Sequence, residues 1–294
     1  MKGKDMKITQ ENILRSLMFD VVEVIREEAS IYTQESKQGY DPSREDLVTS
    51  ADKKAQALYV ERIKINFPGF GIVGEEEGLN IEPAPSHLGK RFIIDPVDGT
   101  GAFARDQSHG VGSMLAMVVG DEVVSAYVSD INTGELFGYY GDGPVTRTRF
   151  GVEKPLVFDS VTSLSKQFAL LLKPVHKYPS RIVEMVMETS LGGLCKEYEV
   201  SGGSIGILFS RLWKGEVGIM VTAPGYNTPW DCAPFVGINR KLGIIRIVVD
   251  QNTGEIVVRD LNVPLSVQKK NYFEVFVHES KAKEVLVLLR EKSV

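Results

Sequence analysis

Asp95-Pro96-Val97-Asp98-Gly99-Thr100-Gly101 follows without a break on the apolar run Arg91-Phe92-Ile93-Ile94. That run reads as a strand, so the stretch opens at a strand end with two carboxylates three residues apart and a proline between them. Pro96 restrains the backbone and predicts a turn, which would aim Asp95 and Asp98 at a common point. Gly99 and Gly101 let a bound group come close to the main chain. A helix starting near Gly101 would offer free N–H groups and the positive end of its dipole to a phosphate. Magnesium takes hard oxygen ligands, and two carboxylates supply only part of a shell. The rest must come from elsewhere in the chain.

Three further segments carry suitable acids. Gly74-Glu75-Glu76-Glu77-Gly78 follows the short apolar run Gly71-Ile72-Val73, Asp231 follows Pro229-Trp230 at the start of an apolar helix, and Asp46-Leu47-Val48-Thr49-Ser50-Ala51-Asp52 sets an acid just inside another helix start. Taken singly, each has a plainer reading. Asp52 and Asp231 would be helix caps, the glutamates a solvated loop and the first stretch a simple turn. Their occurrence together in one chain points to metal-dependent chemistry on phosphate. The four histidines, His87, His109, His176 and His278, are widely separated and form no HExxH pair. Cys195 and Cys232 are too few for a cysteine-rich zinc site and read as reduced thiols.

The frame is that of an ordinary globular protein. Of 294 residues, 43% are hydrophobic and 25% charged, enough for a sizeable core in one or two domains. A net charge of −5 argues against broad binding to nucleic acid, which needs concentrated basic surface. No apolar run reaches the ~18 residues of a membrane span, and Met1 to Glu11 has no apolar signal core, so a cytoplasmic protein is expected.

Helical periodicity predicts helices over 8–32, 50–65, 181–190, 204–213, 230–242 and 281–291. Strands are predicted at 71–74, 91–94, 168–172, 217–221 and 273–277. Hairpins are predicted for 113–119 with 123–129, continued by 135–140, and for 244–249 with 255–258. Asp41 and Pro42 fall in a polar stretch. Residues 144–156 read as a connector, which places a division between an N-terminal half, 1–150, carrying most of the acids and a C-terminal half, 151–294, carrying Asp231. Strands mixed with segregated helices argue for layered α+β packing.

In this order DLVTSAD, GEEE, DPVDGT and PWD resemble the signature of the inositol monophosphatase family, over nearly the whole chain. That family sits in a wider group of lithium-sensitive, magnesium-dependent phosphatases with fructose-1,6-bisphosphatase and 3'(2'),5'-bisphosphate nucleotidase. The resemblance implies a layered αβαβα sandwich and hydrolysis of a small-molecule phosphate monoester by water, with two or three Mg²⁺ ions. It implies that Glu75, Asp95 and the carbonyl of Val97 bind a first ion and Asp95, Asp98 and Asp231 a second. Glu75, alongside Glu76, would hold a third through waters. Asp52 and Thr100 would orient and deprotonate the attacking water, and the amides of Gly99 and Thr100 would hold phosphate oxygens. Gly101 and Ser204 would lie on the substrate side. Lithium inhibition and a homodimer are further expectations from the resemblance.

The chain also departs from the family pattern. Gly101-Ala102 replaces the usual hydroxyl residue and asparagine, and the stretch from Thr222 to Thr228 has no acid where the family often places one for substrate hydroxyls. Inositol phosphate, a fructose bisphosphate, a nucleotide 3'-phosphate and other sugar phosphates therefore stay open as substrates. So does a catalytically silent member that only binds a metabolite, although the full acidic set argues against it. Lys173, His176, Lys177 and Arg181 are candidates for a second phosphate, a solvated basic face being the plainer reading. The haloacid dehalogenase pattern, Asp-x-Asp-Gly-Thr, is excluded because Asp95 and Asp98 are three residues apart and not two.

Overall fold

The computed structural model describes residues 2–40 and 45–291. The polar stretch at Asp41 and Pro42 lies outside them. From the N-terminus, α1 (Lys2–Glu28) leads into the hairpin β1 (Gln34–Gln38) and β2 (Glu45–Thr49), then α2 (Ser50–Asn66), β3 (Gly71–Gly74), β4 (Asn80–Ile81), β5 (Lys90–Asp98) and the single turn α3 (Thr100–Phe103). A meander follows: β6 (Gly112–Val119), β7 (Glu122–Asp130), β8 (Leu136–Tyr140), β9 (Thr146–Arg149) and β10 (Val152–Pro155). Next come β11 (Phe168–Leu171), α4 (Ser180–Val186), β12 (Glu197–Val200), α5 (Ile205–Trp213), β13 (Val217–Thr222), β14 (Gly225–Asn227) and α6 (Pro229–Lys241). The chain closes with β15 (Ile244–Asp250), β16 (Ile256–Arg259), β17 (Gln268–Lys270), β18 (Tyr272–His278) and α7 (Ala282–Glu291).

Two sheets organise these elements. The larger has eight strands in the order β10-β9-β8-β7-β6-β5-β3-β4, the smaller six in the order β12-β11-β13-β18-β15-β16. α1 and α2 cover one face of the larger sheet, α5 and α6 lie between the sheets, and α4 and α7 cover the outer face of the smaller. The result is the expected five-layer α-β-α-β-α arrangement. α6 is buried from Pro229 to Asn239 except at Asp231, as a helix wedged between two sheets must be. Phe209 stacks on Phe235 at 4.2 Å between ring centres and meets Phe276 edge-on at 4.9 Å, joining α5, α6 and the smaller sheet.

Two local readings change. Residues 144–156 are not a bare connector, because β9 and β10 form a hairpin that extends the larger sheet. The chain also does not turn at Asp95. β5 runs on to Asp98 with a register shift, Asp95 facing Met114 and Asp98 facing Gly112 across β6. Three steps on one strand match two on the other, so β5 carries one extra residue. Proline has no N–H to give a ladder, and Pro96 falls within this irregular stretch. The bulge matters for chemistry. Side chains three apart on a regular strand point to opposite faces, and one extra residue returns Asp98 to the side of Asp95.

Candidate active site

Asp95, Asp98 and Asp231 each place a carboxylate oxygen so that all lie within 4.8 Å of one another. Two come from the bulge of β5 and the third from the first turn of α6. α6 is held at its start by Thr228, whose hydroxyl accepts from the amide of Asp231 at 3.1 Å. Asp98 is held most firmly. It accepts from the hydroxyl of Ser204 at 2.5 Å and from the amides of Ile205 at 3.0 Å and Gly206 at 2.8 Å, all at the start of α5. Close approach requires glycine at two points. A Cβ on Gly206 would lie 2.5 Å from the sulfur of Met114. Gly99, with φ +91°, would set a Cβ 2.4 Å from the carbonyl oxygen of Gly110.

The electrostatics of this cluster are those of crowded like charges. Asp95 is 1% exposed, and its Oδ1 has no hydrogen-bond partner. Burial, then Glu75, Asp98 and Asp231, drive its carboxyl well above the usual range. Burial and Asp231 push Asp98 up to about 7 against the bonds from Ser204, Gly206 and Ile205. Burial also raises Asp231. Two buried carboxylates and a half-buried third, with one oxygen unsatisfied, form an arrangement that a hard divalent cation would complete. The oxygen-only donor set suits magnesium better than zinc.

Around the cluster the other residues fall as follows. Glu75, just after β3, pairs with Lys37 at 3.0 Å, and Lys37 also reaches Glu76 at 2.7 Å. Burial pushes Glu75 up to about 8 against the pull of Lys37, with Asp231 and Glu76 adding to the rise. Burial alone would lower the ammonium of Lys37, but its two glutamates outweigh that and raise it. Asp52 is wholly buried at the third position of α2. It accepts from the amide of Thr49 at 2.8 Å and its hydroxyl at 2.5 Å, so it holds the start of the helix. Its other oxygen lies 3.1 Å from the hydroxyl of Thr100, which is 3.0 Å from the carbonyl of Val97. Asp52 is therefore both a helix-start residue and a partner of Thr100. Gly101 is half-buried beside Thr100 on α3. Ser204 is wholly enclosed, its hydroxyl shared between Asp98 and the amide of Ile207 at 3.0 Å, so it contacts the carboxylate cluster and not a cavity.

Several residues at the site lie outside the acidic motifs of the sequence. Lys37 is the sole lysine between Gln34 and Thr49, a polar stretch without periodicity. Tyr40 sets its ring 6.0 Å from that of Trp230 and 6.3 Å from that of Tyr226. Glu274 interrupts the apolar run of β18, a detectable signal. Its carboxylate is 3% exposed and is bound by Lys270, Thr222 and Arg246. Of the four basic candidates, Lys173 lines a cavity with Asp231, whereas His176, Lys177 and Arg181 line another beside residues 250–254.

A profile described as the inositol monophosphatase family matches residues 9–284. Among curated proteins, a histidinol-phosphatase of Chlorobaculum parvum is 27% identical over 213 residues, 67% of this chain and 70% of that protein. A Nus factor SuhB of Vibrio cholerae is 37% identical over 108 residues, 37% of this chain and 39% of that protein. Among solved structures, an IMPase/NADP phosphatase complexed with Mg²⁺ and phosphate superposes with a TM-score of 0.70 at 18% identity, covering 96% of this chain and 95% of that one. No helix among the described residues is long and apolar enough to cross a membrane.

Proposed function

The chain belongs to the inositol monophosphatase family, and on that premise we propose that it is a Mg²⁺-dependent hydrolase of a small-molecule phosphate monoester. The observation that carries the reading is the meeting of Asp95, Asp98 and Asp231 with a buried, unpartnered oxygen on Asp95. These three carboxylates, with Glu75 and the carbonyl of Val97, would hold the cations. When bound, Mg²⁺ offsets charge on the phosphate and lowers the pKa of a coordinated water.

The remaining steps belong to side chains of this chain. Asp52 and Thr100 form a buried carboxylate–hydroxyl pair whose hydroxyl can orient a water toward phosphorus. As the water oxygen forms its bond to phosphorus, the water's proton passes to Thr100, and the hydroxyl proton of Thr100 passes to Asp52. The bond from phosphorus to the ester oxygen breaks with its electron pair going to that oxygen, which takes a proton from a solvent water to leave as the alcohol, and Asp52 returns its proton to solvent as inorganic phosphate departs. The start of α3, with Gly99, Thr100 and Gly101, supplies amides toward phosphate oxygens. The Lys37–Glu75 pair joins the β1–β2 hairpin to the site and sets a positive charge beside the carboxylates.

The test is phosphate release from inositol 1-phosphate, fructose 1,6-bisphosphate, adenosine 3',5'-bisphosphate and glucose 6-phosphate, with Mg²⁺, with EDTA and with added Li⁺. Release from at least one substrate that requires Mg²⁺ is expected. Release that persists unchanged in EDTA would overturn the reading.

A further inference from the structure

A cavity of about 400 Å³ opens beside the carboxylate cluster, lined by Asp231 and Ile205 and also by Thr222, Tyr226, Lys270 and Glu274. Its size is that of a small-molecule site. We propose that Lys270 is the specificity-determining residue of this cavity and that the substrate's leaving part binds there through a second anionic group, a phosphate or a carboxylate. The proposal rests on the phosphatase reading above and adds to it the class of molecule that the site selects.

Lys270, 7% exposed, donates to the hydroxyl of Thr222 at 2.8 Å and to Glu274. Thr222 also donates to Glu274, at 2.8 Å, and Arg246 reaches its other oxygen at 3.2 Å. Glu274 thus serves two cations, Lys270 buried and Arg246 half-buried, and with Asp231 and Lys173 on the same cavity the count is three cations to two carboxylates. Lysine has three N–H donors, and two are used here. Glu274 already accepts three bonds, so little of it remains to read the hydroxyls of a polyol. The segment from Ala223 to Thr228 adds no acid of its own. Lys173, exposed on the wall of the same cavity, adds a second positive charge. The cavity therefore offers donors and positive charge beside the site where the first phosphate would be held.

The register of the strands explains why the feature exists. β14 pairs with β17 so that Gly225 faces Lys270, which draws the lysine over the loop leading into α6 and Asp231. β18 then brings Glu274 opposite Thr222 on β13.

Two measurements test this. The first is calorimetric binding in EDTA of fructose 6-phosphate, glycerate and fructose to the whole protein and to Lys270→Met and Lys270→Arg. The second is kcat/KM in Mg²⁺ for fructose 1,6-bisphosphate and 3-phosphoglycerate against glycerol 2-phosphate. We expect the wild type to bind at least one anionic probe, the phosphate or the carboxylate, in preference to fructose. Lys270→Met should weaken that binding and raise KM for the matching doubly anionic substrate by about 10–100-fold, the loss of a charge-assisted hydrogen bond. Glycerol 2-phosphate should be little affected, and Lys270→Arg should recover most of the difference. The wild-type preference needs no variant and stands as a test even if Lys270→Met does not fold. No preference for either anion over fructose, or equal losses on both substrate classes in Lys270→Met, would overturn the proposal. Lys270-dependent binding without phosphate release from any substrate would support the subsite and sink the phosphatase reading.

Discussion

Ser204→Ala separates two accounts of this site. The family resemblance sets Ser204 on the substrate side, whereas the structure gives its hydroxyl to Asp98 at 2.5 Å and to the amide of Ile207 at 3.0 Å. Alanine removes a hydrogen bond to a charged group, worth about 1.5–3 kcal/mol, and a helix cap, worth about 0.5–2 kcal/mol. One atom makes both bonds and is wholly enclosed, so water cannot replace it, and the combined loss should be about 2–4 kcal/mol of stability. Asp98 keeps the amide of Ile205 on Oδ1 and that of Gly206 on Oδ2 but loses one of the two donors that orient Oδ2. A lost partner behind a metal ligand typically weakens metal binding about 10–100-fold. Urea unfolding would give the first quantity, and phosphate release titrated with Mg²⁺ the second. The Mg²⁺ midpoint should rise, and turnover should largely return at saturating Mg²⁺. A raised KM for substrate with an unchanged Mg²⁺ midpoint would refute the reasoning and return Ser204 to the substrate.

Further outcomes follow from the same geometry. Asp95→Asn removes one of the crowded carboxylates, so the metal-free protein should melt at a higher temperature while phosphate release is lost; a lower melting temperature in EDTA would contradict this. Thr100→Val should cut kcat on the order of 100-fold with calorimetric Mg²⁺ affinity unchanged, and Thr100→Ser should keep most of the rate. Burial would raise the carboxyl of Glu274, but Lys270 and Arg246 outweigh it and hold it below its ordinary value of 4.5. Its folded pKa is depressed, so its contribution to stability is present above pH 4.5 and lost as pH falls through the folded value. Urea midpoints from pH 6 downward should fall in the wild type, and Glu274→Gln should lose that part of the slope.

Much of this site is legible in the chain because its parts are short and punctuated. Asp95 and Asp98 stand after an apolar strand and before glycine, and Asp231 stands behind Pro229 at a helix start, so local rules locate them. What escaped is what depends on other segments. A proline between two aspartates reads locally as a turn, but pairing with β6 carries the strand through as a bulge. β1 is polar throughout, so it has no period of two to detect, yet it delivers Lys37 to Glu75. Ser204 begins α5, as its cap role suggested, but no local signal shows that the same oxygen holds Asp98, 106 residues away. Lys270 ends β17 and Glu274 lies four residues on in β18, and only the folded sheets show that both are buried beside Asp231.

The central claim is that Asp95, Asp98 and Asp231 converge to hold divalent cations against a phosphate. Anomalous diffraction from crystals soaked in Mn²⁺ and inorganic phosphate tests it most directly. The account predicts a manganese peak bonded to carboxylate oxygens of all three aspartates, with phosphate beside it near Thr100. Crystals with Mn²⁺ bound elsewhere, and these three carboxylates left without an ion, would contradict it.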